Sequence, residues 1–219
     1  MIVSRNITTY INSLDAGIPE WLESLRDEAQ AQEVPVIRKE MEPFLNVLLN
    51  MCSPCSILEI GTGVGYSALF MCHCLAGKDF HITTIENYEP RLTQARKHFA
   101  GNNNISLLEG DASGLVKNMS GSFDFIFLDG PKAQYTVMMP DLKRLLVPGG
   151  ILLADNVLQD GELVMSRYAV PRRQRTIHER MREFLWNARH DPELDSSLIS
   201  IGDGVLLCRK KTEWLHTGK

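Results

Sequence analysis

The first fifty residues carry apolar positions at helical spacing, in three pieces. Residues 2–14 form one, ended by Gly17; Pro19 opens a second with Trp21, Leu22 and Leu25 on one face; Pro35 opens a third carrying Ile37, Met41, Phe44, Leu45 and Leu48. Beyond residue 55 the pattern changes. Short apolar runs at 57–60, 81–86, 105–109, 123–129 and 151–155 read as strands, and the stretches at about 67–75, 90–99 and 133–146 read as helices. Strands alternating with helices predict right-handed crossovers and a mostly parallel sheet, doubly wound in the α/β manner. At the end of the chain Gly202-Asp203-Gly204 lies between two apolar runs within 197–210, a hairpin signal. One domain over 1–219 accounts for this, with N-terminal helices at 1–50 and the sheet at 56–210. The helical layer either packs on the sheet or lies over the open end of a site, and both give the same periodicity.

The turn after the first strand is the first chemical signal. Gly61, Gly63 and Gly65 alternate ahead of a helical pattern, so a ligand can lie against bare main chain with the N–H groups of a helix start aimed at it. A dinucleotide fingerprint needs G-x-G-x-x-G, and here the sixth position is Tyr66, which places a nicotinamide-linked oxidoreductase well behind. The acidic Glu59 just ahead of the glycines repels phosphate and suits a cationic ligand such as S-adenosylmethionine. The bland alternative is a tight turn without a ligand.

In a parallel sheet the carboxyl ends of the strands share one edge, and ligands sit beyond it. Gly61, Glu86, Asp111, Asp129 and the pair Asp155-Asn156 each close a strand or follow it, so all reach the same rim. Glu86 stands where a carboxylate accepts both hydroxyls of a ribose, and Asp111 or the Ala112 backbone would lie beside an adenine, with a helix cap as the plainer role for Asp111. Asp129, Asp155 and Asn156 supply two carboxylates and an amide oxygen, a hard set suited to Mg2+ or a similar divalent cation. Lys132 follows Asp129 closely enough to take a proton from a hydroxyl bound to such a cation, as catalytic base. A surface ion pair and a simple turn are the structural alternatives.

Composition narrows the classes further. A net charge of −4 argues against binding nucleic acid through the overall field. No apolar run approaches membrane-spanning length and residues 1–10 lack the apolar core of a signal peptide, so the expectation is a cytoplasmic protein with no membrane partner. Charge is uneven, however: segment 166–190 holds seven arginines, including Arg172, Arg173 and Arg175, against Glu179 and Glu183. Such a patch suits RNA phosphates, and equally a solvated helix face or a dimer contact. Cys52, Cys55, Cys72 and Cys74 could ligate zinc or an iron–sulfur cluster, but reduced thiols packed as small apolar residues fit the spacing better, and Cys208 reads the same way.

Leu58-Glu59-Ile60-Gly61 with Gly65-Tyr66-Ser67, Thr84-Ile85-Glu86, Phe127-Leu128-Asp129 with Lys132 and Tyr135, and Leu153-Ala154-Asp155-Asn156-Val157 together resemble the cation-dependent, S-adenosylmethionine-dependent O-methyltransferases, which include the catechol and caffeoyl-CoA enzymes. Val34-Pro35-Val36-Ile37, the run 172–175, His190-Asp191-Pro192 and Ile201-Gly202-Asp203-Gly204 add a likeness to the bacterial tRNA 5-hydroxyuridine methyltransferases within that family. The resemblance implies a seven-stranded Rossmann-like methyltransferase sheet with an antiparallel last strand, a homodimer, and transfer of a methyl group to a metal-bound hydroxyl. It implies Asp129, Asp155 and Asn156 as metal ligands and Lys132 as base. Donor contacts would come from Ile37, Glu59, Gly61, Ser67, Glu86, Asp111 or Ala112, and Asp129. It points to tRNA as partner, with a small-molecule phenol, or a non-catalytic donor- or RNA-binding module, as alternatives. Where relatives show Asp-Ala-Ala-Lys-Gly-Gln-Tyr, this chain has Asp129-Gly-Pro131-Lys132-Ala-Gln-Tyr135, and Pro131 stiffens that loop.

Overall fold

A computed structural model describes residues 2–212; Met1 and residues 213–219, the far end of the expected 1–219 domain, lie outside the described residues. Three helices, α1 (Arg5–Ser13), α2 (Glu20–Ala31) and α3 (Met41–Cys52), precede the sheet. The chain then runs β1 (Ser56–Ile60), α4 (Tyr66–Cys74), β2 (His81–Glu86), α5 (Glu89–His98), β3 (Ile105–Glu109), α6 (Ala112–Asn118) and β4 (Phe123–Leu128). It continues with α7 (Tyr135–Leu145), β5 (Leu146–Ala154), α8 (Arg175–His190), β6 (Leu194–Ile199) and β7 (Val205–Lys210). Strand order is β3-β2-β1-β4-β5-β7-β6, with β1 to β5 parallel and β7 inserted antiparallel to both its neighbours. This is the mostly parallel, doubly wound sheet that the alternating pattern predicts, with the seven strands and antiparallel last strand that the family resemblance implies.

Successive side chains on a strand face opposite ways, and the two cores follow that period. Leu58, Ile60, Ile126, Leu128, Leu152 and Ala154 pack on the face that carries α6, α7 and α8. Ile57, Phe125, Phe127 and Leu153 pack on the other, against α2, α3 and α4. The helical layer is therefore packed rather than free as far as α2 and α3 are concerned, whereas α1 buries no residue.

Four sequence expectations shift. The third helix starts at Met41, six residues past Pro35: residues 34–38 are not helical, and the Arg26 guanidinium takes up the Ile37 carbonyl in place of a helical partner. Trp21 stays half exposed, since the buried stripe of α2 runs Leu22, Leu25, Ala29. Strand β5 begins at Leu146, so Pro148-Gly149-Gly150 lies inside it, accommodated by a register irregularity against β4. All five cysteines are free: Cys208 is buried and Cys72 and Cys74 half-buried as expected, but Cys52 and Cys55 are exposed at the end of α3.

Candidate functional site

The glycine turn between β1 and α4 is shaped by close approaches. Gly61 has φ +97°, and a Cβ there would lie 2.8 Å from the carbonyl carbon of Asp129, so β1 and β4 converge only because that position has no side chain. Gly65 has φ +92° and abuts the Phe99 ring. Gly63 faces open space and donates its N–H to Glu86 Oε2 at 3.0 Å, while Glu86 Oε1 accepts from the Asn87 and Tyr88 N–H groups at 2.9 and 3.0 Å. The carboxylate at the tip of β2 is thus locked in orientation.

A cavity of about 560 Å³ lies beyond these strand ends. Of the residues the sequence singles out, Ile37, Gly61, Gly63, Ser67, Glu86, Ala112, Asp129, Lys132, Asp155 and Asn156 line it. Glu59, Gly65 and Asp111 do not. Glu59 is fully buried and accepts hydrogen bonds from Ser67 Oγ at 2.5 Å and from Thr84 Oγ1, so it reaches the cavity only through Ser67. Burial pushes its carboxyl up to about 7, against the pull of those two hydroxyls. Asp111 is the N-cap of α6, accepting from Gly114 N at 3.0 Å and from Gln134 Nε2 at 3.0 Å, which leaves Ala112 at the wall.

Parallel pairing of Leu128 with Ala154 sets Asp129 and Asp155 side by side at the tips of β4 and β5. Burial first, and the Asp129 charge second, push the Asp155 carboxyl up to about 7. Asp129 is raised by burial as well, opposed by Lys132 and Arg91. Lys132 Nζ stands 3.9 Å from Asp129 Oδ1 and 5.9 Å from the centre of the Tyr135 ring. Asn156 sits at φ +56°, a left-handed conformation that asparagine tolerates better than most residues, and its N–H donates to Asp155 Oδ1 at 2.6 Å. Two carboxylates at adjacent strand tips, Asp155 buried and Asp129 part-exposed, with the Lys132 amine near Asp129 and the Asn156 amide alongside, fit a hard divalent cation. Among the described residues no group of three His, Cys, Asp or Glu could hold a metal ion, and a cation at this rim would need the Asn156 amide beside Asp129 and Asp155.

Several wall residues escape sequence reasoning, among them Arg38, Tyr88, Arg91 and Asp203. Asp203 had a signal: it lies in the predicted hairpin, and an antiparallel last strand begins on the same rim where the parallel strands end. Its carboxylate accepts from Arg38 Nε at 2.9 Å, and Arg38 Nη2 also reaches Asp160 Oδ1 at 3.0 Å. A second cavity of about 460 Å³ shares Gly130, Lys132 and Asn156 with the first and adds Asp160, Glu162, Gln174 and Ile177. Arg172 and Arg173 are exposed in the 3-10 turn that ends at Gln174, and Arg175 donates to the Val170 carbonyl at 3.2 Å. None of the three arginines lines either cavity; the segment contributes Gln174 instead.

With a donor-sized cavity at a glycine turn and an acid pair at its far end, the relatives can be placed. The profile of the O-methyltransferase family matches residues 12–211. The chain belongs to the O-methyltransferase family. Tapetum-specific methyltransferase 1 of Arabidopsis thaliana is 34% identical over 176 residues, 76% of this chain and 74% of that protein. Caffeoyl-CoA O-methyltransferase of Zinnia elegans is 33% identical over 178 residues, covering 76% of this chain and 72% of that protein. The crystal structure of methyltransferase PaMTH1 from Podospora anserina, bound to S-adenosylhomocysteine, superposes with a TM-score of 0.84 at 25% identity, over 94% of each chain. The protein is an S-adenosylmethionine-dependent O-methyltransferase. No helix among the described residues is long and apolar enough to cross a membrane.

Proposed function

We propose that this O-methyltransferase moves the methyl group of S-adenosylmethionine to a substrate hydroxyl held by a divalent cation, and that the hydroxyl belongs to 5-hydroxyuridine in tRNA. The observation that carries the reading is the pair Asp129 and Asp155 at adjacent strand tips on one cavity wall, joined by Asn156 and with Lys132 close to Asp129. Mg2+ held by these oxygens would make a bound hydroxyl more acidic. Lys132 is placed to accept the proton, and its ammonium then balances Asp129. The donor lies against Gly61 and Gly63, its ribose on Glu86 and its adenine against Ala112. Ile37 and Ser67 line the remainder. Transfer breaks the sulfur–methyl bond as the oxygen–methyl bond forms, so the chain's own contribution is alignment of oxygen, carbon and sulfur.

The tRNA assignment is supported by the motif likeness and by the turn carrying Arg172 and Arg173, which ends at the mouth of the second cavity. A 5-hydroxypyrimidine presents an acidic hydroxyl beside a second oxygen, the same chelating edge as a catechol. A small phenol is the second reading, favoured by the acids Asp160 and Glu162 in that cavity and by relatives such as the Zinnia elegans enzyme. The experiment is transfer of labelled methyl from S-adenosylmethionine to bacterial tRNA lacking the final wobble-uridine methylation, and in parallel to catechol, with Mg2+ or with chelator. Label in tRNA that depends on metal is the expected result. Label in catechol alone keeps the chemistry and replaces the substrate; label in neither overturns both substrate readings and leaves the acceptor to be sought elsewhere.

A further inference from the structure

Arg26, Glu42 and Tyr66 are almost completely buried, at 7%, 2% and 2% exposure, on three different helices. The guanidinium of Arg26 pairs with the Glu42 carboxylate, donates from Nη2 to the Tyr66 hydroxyl at 2.8 Å, and lies 4.8 Å from the centre of the Tyr66 ring. Tyr66 in turn donates to Glu42. A buried ion pair adds little net stability, because desolvating both charges offsets their attraction, and apolar residues of similar volume would serve packing as well. What such a set does supply is fixed direction. Here the groups it fixes, Tyr66 and Ile37, line the cavity, while Arg26 and Glu42 lie behind it.

Tyr66 is the first residue of α4, directly after the left-handed Gly65, and it lines the cavity. The second amino group of Arg26, Nη1, donates to the Ile37 carbonyl at 3.3 Å, and Ile37 lines the cavity from a stretch with no helical hydrogen bonds to hold it. Two residues further along α2, Glu28 comes within 3.9 Å of His98 Nε2, while His98 Nδ1 donates to the Val64 carbonyl at 2.8 Å, in the middle of the glycine turn. Helix α2 therefore holds the cavity wall at Ile37 and Tyr66 through Arg26, which lies behind that wall, and approaches Val64 only by way of His98.

We infer that Arg26 and Glu42 are positioning residues for methyl-donor binding, acting through Tyr66 and Ile37 to hold the glycine turn and the facing wall at the spacing the donor requires. The inference rests on the reading of this cavity as the S-adenosylmethionine site. It makes α2 and α3 part of the donor site without donor contact, and it separates donor affinity from acceptor affinity.

The test uses the full chain, with S-adenosylhomocysteine binding measured by calorimetry, thermal unfolding, and KM for donor and acceptor. The double variant Arg26→Met/Glu42→Leu replaces the ion pair by apolar groups of similar volume. Its unfolding temperature is expected a few degrees below that of the parent, because the Tyr66 hydroxyl and the Ile37 carbonyl lose the partners they had, while S-adenosylhomocysteine binding weakens about ten-fold and acceptor KM stays where it was. Tyr66→Phe removes one oxygen and carries the test should the double variant fold poorly; its expected loss of affinity is about five-fold. Affinity within about two-fold of the parent in a folded variant reduces the network to packing and overturns the inference alone. A parent that binds no S-adenosylhomocysteine overturns the reading of the cavity, and the inference with it.

Discussion

Glu59→Gln is the substitution whose outcome the structure specifies most fully. Glu59 has no exposed surface, and burial raises its carboxyl from an ordinary 4.5 to about 7 in spite of the hydroxyls of Ser67 and Thr84. The sign follows from proton counting. Between pH 4.5 and 7 the folded chain keeps the proton that the unfolded chain has released, so stability is greatest below that window and falls as pH rises through it. The full loss is about 3 kcal/mol, which for a chain of this size is about 8 °C in the unfolding temperature. Glutamine keeps the shape and stays neutral: its carbonyl accepts from Ser67, and its amide donates to Thr84, whose hydroxyl lies 2.6 Å from that of Thr62. Thermal melts of parent and variant from pH 4 to 9 are the assay. Other titrating groups are common to both proteins, so the difference between the curves isolates Glu59. The gap should open in favour of glutamine between pH 4.5 and 7 and stay constant above it. Parallel curves would refute the argument, and would mean that the site is wetter, or better paired, than its burial implies.

Further perturbations address the turn, the base, the acids and the arginines. Gly61→Ala forces a Cβ onto the Asp129 carbonyl at φ +97°, and strain plus crowding should cost about 3 kcal/mol in urea unfolding; an unchanged midpoint would contradict the close approach. Lys132→Ala is expected to lower kcat by about 100-fold or more while S-adenosylhomocysteine affinity holds, and parental turnover would remove Lys132 as the base. Asp155→Ala should abolish the response of turnover to added Mg2+, whereas a variant still stimulated by metal and silenced by chelator would place the cation elsewhere. Replacing Arg172 and Arg173 together by alanine should raise KM for tRNA and lower its salt dependence by about two counterions, without affecting transfer to catechol; equal salt slopes would take the arginines off the RNA path.

What the sequence makes legible is what depends on short spacing. The bounds of β2 and β3 come out at His81–Glu86 and Ile105–Glu109 as the apolar runs indicate, because each run is closed by a turn, although β2 is largely buried and β3 is a part-exposed edge strand. Parallel winding then carries the strand tips to one rim, which is why Glu86, Asp129, Asp155 and Asn156 could be grouped before any coordinates and are found lining one cavity. The misplacements occur where one residue decides the direction of a side chain. Asp111 and Ala112 are neighbours, yet the first caps a helix and the second forms the wall. Glu59 is one strand position too deep to touch the cavity, and the acid that suggested a cationic ligand acts instead as a buried acceptor behind Ser67.

The remaining losses come from contacts between distant parts of the chain. Arg38 meets Asp203 across 165 positions, and Arg26 joins Glu42 to Tyr66 across three helices, so no local pattern announces either set. Their lack of periodicity is itself informative once the fold is known. Arg26 occupies an otherwise apolar buried stripe, and Asp203 sits in a turn where any glycine-rich sequence would make the hairpin. A charged residue in such a place gives up hydration, so it must be met by partners, and those partners identify the segments that have to be held in register. In this protein they are the two faces of one cavity. The local signals mark where the cavity opens, and the misplaced charges mark what keeps its walls at a fixed separation.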